Sequence, residues 1–178
     1  MHQCDEDDED FLDEMSNLHH AWSLSAESKR IFIPINDQFN QSRTAFSRPG
    51  GGSHWSLLLW TLPDCNFYHF DSSSGYNSSA ALTVSRKLLK VLRLKAIPGQ
   101  PFETNVKTCK TPKQQNGYDC GVYLLGFAET LTSFHGESQK YGDVICKELS
   151  RDDFTKMLRK RISNDIRGII QSEITPSC

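Results

Sequence analysis

The 178-residue sequence has no Cys-x-x-Cys pair, no long apolar run and no stretch of interleaved aromatic and basic residues. Each absence removes a class of function. The six cysteines (Cys4, Cys65, Cys109, Cys120, Cys146 and Cys178) are scattered, which suits neither a zinc site nor the disulfide framework of a small secreted domain. No metal and no cofactor is expected. The longest uninterrupted apolar stretch, Leu57 to Trp60, falls far short of the ~18 residues that cross a bilayer, so no membrane partner is expected. No basic segment leading into an apolar one opens the chain, and a cytoplasmic or nuclear protein is the default expectation. Net charge is only −2, but it is unevenly placed: Asp5 to Glu14 holds eight acids and no base. The remainder has a modest basic excess, too small to argue for nucleic acid. A monomer is expected.

What is present fits one domain with a hydrophobic core, preceded by a leader. Residues 1–29 read as an acidic, disordered leader, for which a docking role is the alternative. The adjacent His19 and His20 read as exposed linker residues rather than metal ligands. Residues 30–178 form the catalytic-domain candidate. Ile31 to Ile35 reads as a strand, with Pro34 favouring an edge or strand end because it donates no ladder bond. A hairpin follows, with strands His54–Trp60 and Asn66–Asp71 and a turn at Leu62-Pro63-Asp64. Val84, Leu88, Val91 and Leu92 recur at helical spacing, and Phe102–Thr108 reads as a short strand. Helices are predicted from Cys120 to Phe134 and from Asp152 to Gln171, the second with two acids favourably placed at its start. The order implies an α+β fold, a small, mainly antiparallel sheet packed by helices.

The chemistry centres on Cys120. A thiol attacks acyl carbon as thiolate, and a helix N-terminus or a cationic neighbour favours that form. Cys120 opens a predicted helix, and Gly121 behind it lets a substrate backbone approach. His54 starts one hairpin strand and Asp71 ends the other, so the two fall at the same end of the sheet. There Asp71 is expected to accept the Nδ1 proton of His54 and turn Nε2 toward the thiol. The Cys120 N–H and a side-chain amide from Gln114 or Gln115 are candidate donors to an oxyanion. Read singly, each residue has a plainer role: a buried cysteine, a strand-end histidine, a turn aspartate, a polar loop. Together they make a coherent Cys-His-Asp site.

Four stretches carry a family resemblance: Ile31-Phe32-Ile33-Pro34-Ile35, Gly52-Ser53-His54-Trp55-Ser56-Leu57-Leu58, Phe67-Tyr68-His69-Phe70-Asp71-Ser72 and Gln114-Gln115-Asn116-Gly117-Tyr118-Asp119-Cys120-Gly121. In identity, order and separation they resemble the ubiquitin-like protease, or sentrin-specific protease, family of cysteine peptidases. The resemblance implies an adenain-like, papain-like core and a His54–Asp71–Cys120 triad. It selects Gln114, six residues before the cysteine, as the oxyanion glutamine. It makes Trp55 the lid of a tunnel that admits the Gly-Gly end of a ubiquitin-like modifier. Trp55, Gly121 and Gln115 are thus the substrate-binding candidates. The glutamine-to-cysteine loop, with Tyr118 before Asp119, together with Asp71-Ser72-Ser73-Ser74 and Asn77-Ser78, is more similar to the deneddylase branch than to SUMO-cleaving members.

The family's usual segment before the first matching strand, with its Trp-Leu-Asn/Asp-Asp motif, has no counterpart in the residues before Ile31, and the N-terminal lobe is expected to be truncated. The expected function is therefore an isopeptidase and C-terminal hydrolase for a Nedd8-type modifier, with SUMO the second choice. A modifier-binding remnant without turnover and an acetyltransferase using the same triad are the competing readings.

Overall fold

The structure, a computed structural model, describes residues 30–37, 53–61, 66–93, 105–151 and 153–174. Strands β1 (Arg30–Asn36), β2 (Trp55–Thr61), β3 (Asn66–Phe70) and β4 (Val106–Thr108) form one sheet in that order. β1/β2 and β2/β3 are antiparallel, and β3/β4 is parallel. The helices are α1 (Ser78–Arg93), α2 (Cys120–Ser133), α3 (Tyr141–Leu149) and α4 (Phe154–Ile174), with a short 3₁₀ turn at Ser138–Lys140. The expected α+β fold and mainly antiparallel sheet are both found. The acidic leader, the turn at 62–64 and the first residues of the predicted 102–108 strand lie outside the described residues.

The sheet is covered on both faces. Leu57 and Leu59 of β2 with Tyr68 and Phe70 of β3 meet α2 and α3 through Tyr123, Leu124, Phe127, Leu131, Tyr141 and Ile145. Leu58, Trp60 and Phe67 point the other way and pack with Ile31, Ile35 and the α1 residues Ala80, Ala81, Val84, Leu88 and Leu89. Because side chains alternate across a strand, a strand buried on both sides must be apolar throughout. That is why β2 reads Leu57-Leu58-Leu59-Trp60 without alternation. β1, in which Pro34 pairs with Leu57, lies at the edge of the four-stranded sheet, where a residue that donates no ladder bond is tolerated.

A side chain of β1 fixes one helix end. Arg30 donates to the carbonyls of Leu131 (2.6 Å) and Phe134 (2.7 Å), so a cation from β1 closes the C-terminal end of α2. α3, which is not among the helices expected from the sequence, places Tyr141, Ile145 and Leu149 on its buried face. α4 starts at Phe154, two residues after the expected Asp152, and runs beyond Gln171 to Ile174. Its apolar stripe is only partly used. Leu158 is buried, whereas Ile166, Ile169 and Ile170 are at least half exposed.

Candidate active site

The site is built where three chain segments leave the sheet. β2 starts just after His54, β3 ends just before Asp71, and the segment after β4 runs past both on its way to α2. Parallel pairing of β4 with β3 sets this last path: Cys109 N–H donates to the His69 carbonyl (2.9 Å), continuing the strand direction toward Asp71. Thr111 Oγ1 then donates to the Asp71 carbonyl (2.7 Å), as does Lys113 Nζ (3.2 Å). Gln114 N–H reaches the Ser72 carbonyl (3.1 Å). The loop that ends at Cys120 is thereby stitched to the end of β3.

His54 and Asp71 meet as the hairpin geometry requires. His54 Nε2 lies 2.6 Å from Asp71 Oδ1, and both side chains are almost fully buried. The ring nitrogens, however, are opposite to expectation. Asp71 engages Nε2, not Nδ1, so the lone pair of a neutral ring falls on Nδ1. A sequence spacing fixes which strand ends meet but not which ring edge faces the partner. Asp71 accepts further from Ser73 N–H (2.7 Å, Oδ1) and Asn77 N–H (3.0 Å, Oδ2). Burial alone pushes this carboxyl up, but the His54 bond and the two backbone donors outweigh it and hold the carboxyl at about 2.

The turn from Asp71 into α1 aims those donors. Ser74 (φ 55°) and Gly75 (φ 83°) take left-handed backbone, which folds the segment back so that Asn77 N–H faces the carboxylate. Asn77, itself buried, also donates through Nδ2 toward the carbonyls of His54 (3.2 Å) and Ile35 (3.3 Å) and Ser56 Oγ (3.2 Å). It holds both members of the pair at once. Ahead of His54, Asp37 accepts from Ser53 N–H (2.7 Å), Ser53 Oγ (2.6 Å) and His54 N–H (3.2 Å). Tyr76 stands edge-on to the His54 ring, with centroids 5.4 Å apart. Deeper in the sheet, His69 is fully buried against Ser56 Oγ (2.9 Å), and burial lowers its pKa and keeps it neutral.

Cys120 is the first residue of α2 and is buried. Asp119, just before it, is fixed by Asn116 Nδ2 (2.7 Å) and by Arg159 of α4, whose Nε donates at 2.9 Å. Asn116 Oδ1 accepts from the N–H groups of Tyr118 (3.0 Å) and Asp119 (2.9 Å), closing a tight turn that delivers the cysteine to the helix start. Gln114 and Gln115 are separated by their surroundings. Gln114 Oε1 accepts from Ser72 Oγ (2.7 Å) and its Nε2 donates to the Asn116 carbonyl (2.7 Å). Gln115 is exposed and reaches only the Lys113 carbonyl (3.2 Å). Trp55, at the first position of β2, is 43% exposed. A Cβ built on Gly121 would meet nothing within 4 Å, so the space in front of the helix start is open.

Ser72, Asn77, Asp37 and Tyr76 were not singled out as site residues by the sequence. The signal for the first two was there, since Ser72 directly follows Asp71 and Asn77 closes the serine-rich segment that leads from Asp71 into a helix.

An α+β sheet with a histidine–carboxylate pair at its rim and a cysteine opening the helix laid across it is the arrangement of a cysteine peptidase. The chain belongs to the Ulp1 protease family, matching its C-terminal catalytic domain over residues 3–174. It is 34% identical to a probable sentrin-specific protease 8 of Dictyostelium discoideum over 85% of this chain and 64% of that one. It is 38% identical to human sentrin-specific protease 8 over 61% of this chain and 46% of that protein. To the NEDD8-specific protease 1 of Arabidopsis thaliana it is 36% identical, over 57% and 40%. The chain thus spans less than two thirds of the length of each of these relatives. A solved SUMO protease Ulp1, its catalytic cysteine oxidised to a sulfinic acid, is similar at 22% identity with a TM-score of 0.48, over 82% of this chain and 63% of that one.

Proposed function

We propose that the chain is a thiol isopeptidase and C-terminal hydrolase that cleaves after the terminal Gly-Gly of a ubiquitin-like modifier. The observation that carries this reading is the buried His54–Asp71 pair, joined through the Asp71–Ser72 segment to the loop that presents Cys120. In this reading His54 takes the Cys120 proton, and the thiolate attacks the carbonyl carbon of the modifier's last glycine. The carbonyl oxygen becomes an oxyanion, stabilised by the Cys120 N–H and the Gln114 amide. As the intermediate collapses, the C–N bond breaks and imidazolium gives its proton to the leaving lysine amine. A water deprotonated by His54 then attacks the thioester, releasing modifier carboxylate and free thiol. Asp71 stabilises the imidazolium formed between these steps. Trp55 closes over the Gly-Gly segment, and Gly121 and Gln115 border its path.

A Nedd8-type modifier is favoured over SUMO. The Tyr118-Asp119-Cys120 loop and the Asp71–Ser78 turn support that choice, as do relatives that carry NEDD8-specific and sentrin-specific protease 8 names. The test pairs two probes: a modifier with a C-terminal thiol-reactive group, and a fluorogenic Nedd8 or SUMO conjugate. Labelling at Cys120 and turnover of the Nedd8 conjugate, both lost in Cys120→Ala, are expected. Binding of modifier without labelling or turnover would establish the non-catalytic reading instead, and acetyl transfer from acetyl coenzyme A would establish the acyltransferase one.

A further inference from the structure

We propose that Ser72 is a positioning residue that sets the orientation of the Gln114 amide as an oxyanion donor, an inference that rests on the peptidase reading above. An amide side chain has two ends of nearly equal shape, and only one of them donates. The end that donates must face the reacting carbonyl, so something must fix the rotation of the terminal torsion.

In this chain two contacts do so. The Asn116 carbonyl can only accept, so the group 2.7 Å from it is Nε2. The Ser72 hydroxyl then donates to Oε1 at 2.7 Å from the opposite end. One N–H of Gln114 is spent on Asn116, and the second remains for a ligand. Ser72 is only 1% exposed, so its hydroxyl has no bulk water to turn to. Its own carbonyl accepts the Gln114 backbone N–H at 3.1 Å, which gives the glutamine a main-chain and a side-chain anchor on the same residue.

The neighbour of Ser72 gives the arrangement its consequence. Asp71 orients the base and Ser72 orients the oxyanion donor, so adjacent residues on one turn set the spacing between two parts of the machinery. Gln115, whose amide reaches only Lys113, has no such anchor. Removing the Ser72 hydroxyl leaves Oε1 without this donor while Nε2 keeps Asn116, and the amide is free to swing about that single bond. An oxyanion donor is worth roughly 10²–10³ in kcat, and a donor out of line loses part of that.

The experiment compares Ser72→Ala, Ser72→Thr, Gln114→Ala and the Ser72→Ala/Gln114→Ala double variant. Each is measured for kcat and KM on a fluorogenic modifier conjugate, for the rate of Cys120 alkylation by iodoacetamide, and for thermal stability. Alkylation uses the thiol and His54 but no oxyanion donor. Ser72→Ala is expected to lower kcat roughly 10-fold or more, with KM and alkylation within about twofold of wild type. Ser72→Thr, which keeps the hydroxyl, is expected to recover most of the loss. In the Gln114→Ala background, Ser72→Ala is expected to have no further effect. Full additivity of the two changes, an unchanged kcat in Ser72→Ala, or an equal fall in alkylation would overturn the role proposed for Ser72 while leaving the peptidase reading intact. A wild-type chain alkylated at Cys120 that turns over no conjugate overturns both.

Discussion

His54 Nε2 and Asp71 Oδ1 stand 2.6 Å apart in a pocket that leaves neither side chain more than a few per cent exposed. A neutral imidazole has one N–H, and a carboxylate held at about 2 can only accept. The proton of neutral His54 therefore sits on Nε2 and the lone pair on Nδ1, the nitrogen that the proposed mechanism turns to the thiol. Asp71→Asn keeps the shape but offers an amide, which no longer enforces that tautomer. A fall in kcat of roughly 10³-fold or more is expected, with the fold retained, as in other triads whose orienting carboxylate is replaced. Heteronuclear NMR of histidine-labelled Cys120→Ala protein checks the premise directly: the Nε2-protonated form should dominate His54, and an Nδ1-protonated ring would refute it.

The same carboxylate makes stability depend on acid. Asp71 lies below its ordinary 3.8 when folded, at about 2, so the unfolded chain binds its proton first as pH falls. The stabilising contribution is complete above pH ~5 and is lost as pH drops through the unfolded value toward 2. At ~1.4 kcal/mol per unit it amounts to about 2 kcal/mol. Asp37 and Asp119 are depressed as well, by Ser53 and by Asn116 and Arg159 respectively, each against the opposing effect of burial. The signature of Asp71 is thus a difference: the stability gap between wild type and Asp71→Asn in urea should shrink between pH 5 and pH 2.5. A gap that widens in acid contradicts the assignment.

Asn77 gives a structural counterpart. Its Nδ2 serves the carbonyls of Ile35 and His54 and the Ser56 hydroxyl, and its backbone N–H serves Asp71. Asn77→Ala keeps the backbone donor but removes one donor from each buried acceptor, the His54 carbonyl retaining Asp37 N–H (3.3 Å) and Ser56 Oγ retaining His69 Nε2 (2.9 Å). A lost buried hydrogen bond whose acceptor keeps another donor costs about 0.5–1.5 kcal/mol. A loss of about 1–2 kcal/mol in denaturant unfolding is expected, along with reduced activity, because the His54 carbonyl is no longer tethered to the start of α1. Asn77→Asp should do no better, since a carboxylate supplies acceptors where donors are needed. Rescue by Asp would show that volume, not hydrogen bonding, is what the site requires.

Much of this was legible in the sequence, and the parts that were not share a cause. β1, β2 and β3 announced themselves as apolar, β-branched or aromatic runs, and the hairpin then forced His54 and Asp71 to one end of the sheet. Pro34 marked the edge strand because a missing N–H is a local property. The ring edge of His54 was misjudged because it depends on how the side chain leaves β2, which no spacing encodes. α3 was missed because a nine-residue helix carries only Tyr141, Ile145 and Leu149 as its periodic signal. The role of Ser72 needed the path of the segment after β4, which is set by parallel pairing with β3 rather than by any motif. Local chemistry was readable, whereas contacts between segments distant in sequence were not.

Gly126 offers a case where two local effects oppose each other and their sizes decide the outcome. It lies in the middle of α2, where glycine costs about 1 kcal/mol relative to alanine. On helix propensity alone, Gly126→Ala would stabilise the protein. Yet a Cβ there would stand 2.4 Å from Phe154 Cζ, 3.2 Å from Phe154 Cε2 and 3.3 Å from Leu149 Cδ1. Phe154 opens α4, and its half-buried ring packs on Tyr123 with centroids 5.6 Å apart, so moving it aside gives up that contact. Forcing an extra methyl into such packing costs about 1–3 kcal/mol. The packing cost exceeds the propensity gain, and Gly126→Ala is expected to destabilise by about 1 kcal/mol. Phe154→Leu removes the atoms in the way, so in that background Gly126→Ala should become neutral or stabilising. A double-mutant cycle in urea measures the coupling, and additive behaviour would mean that Gly126 is not kept small by the α2–α4 crossing.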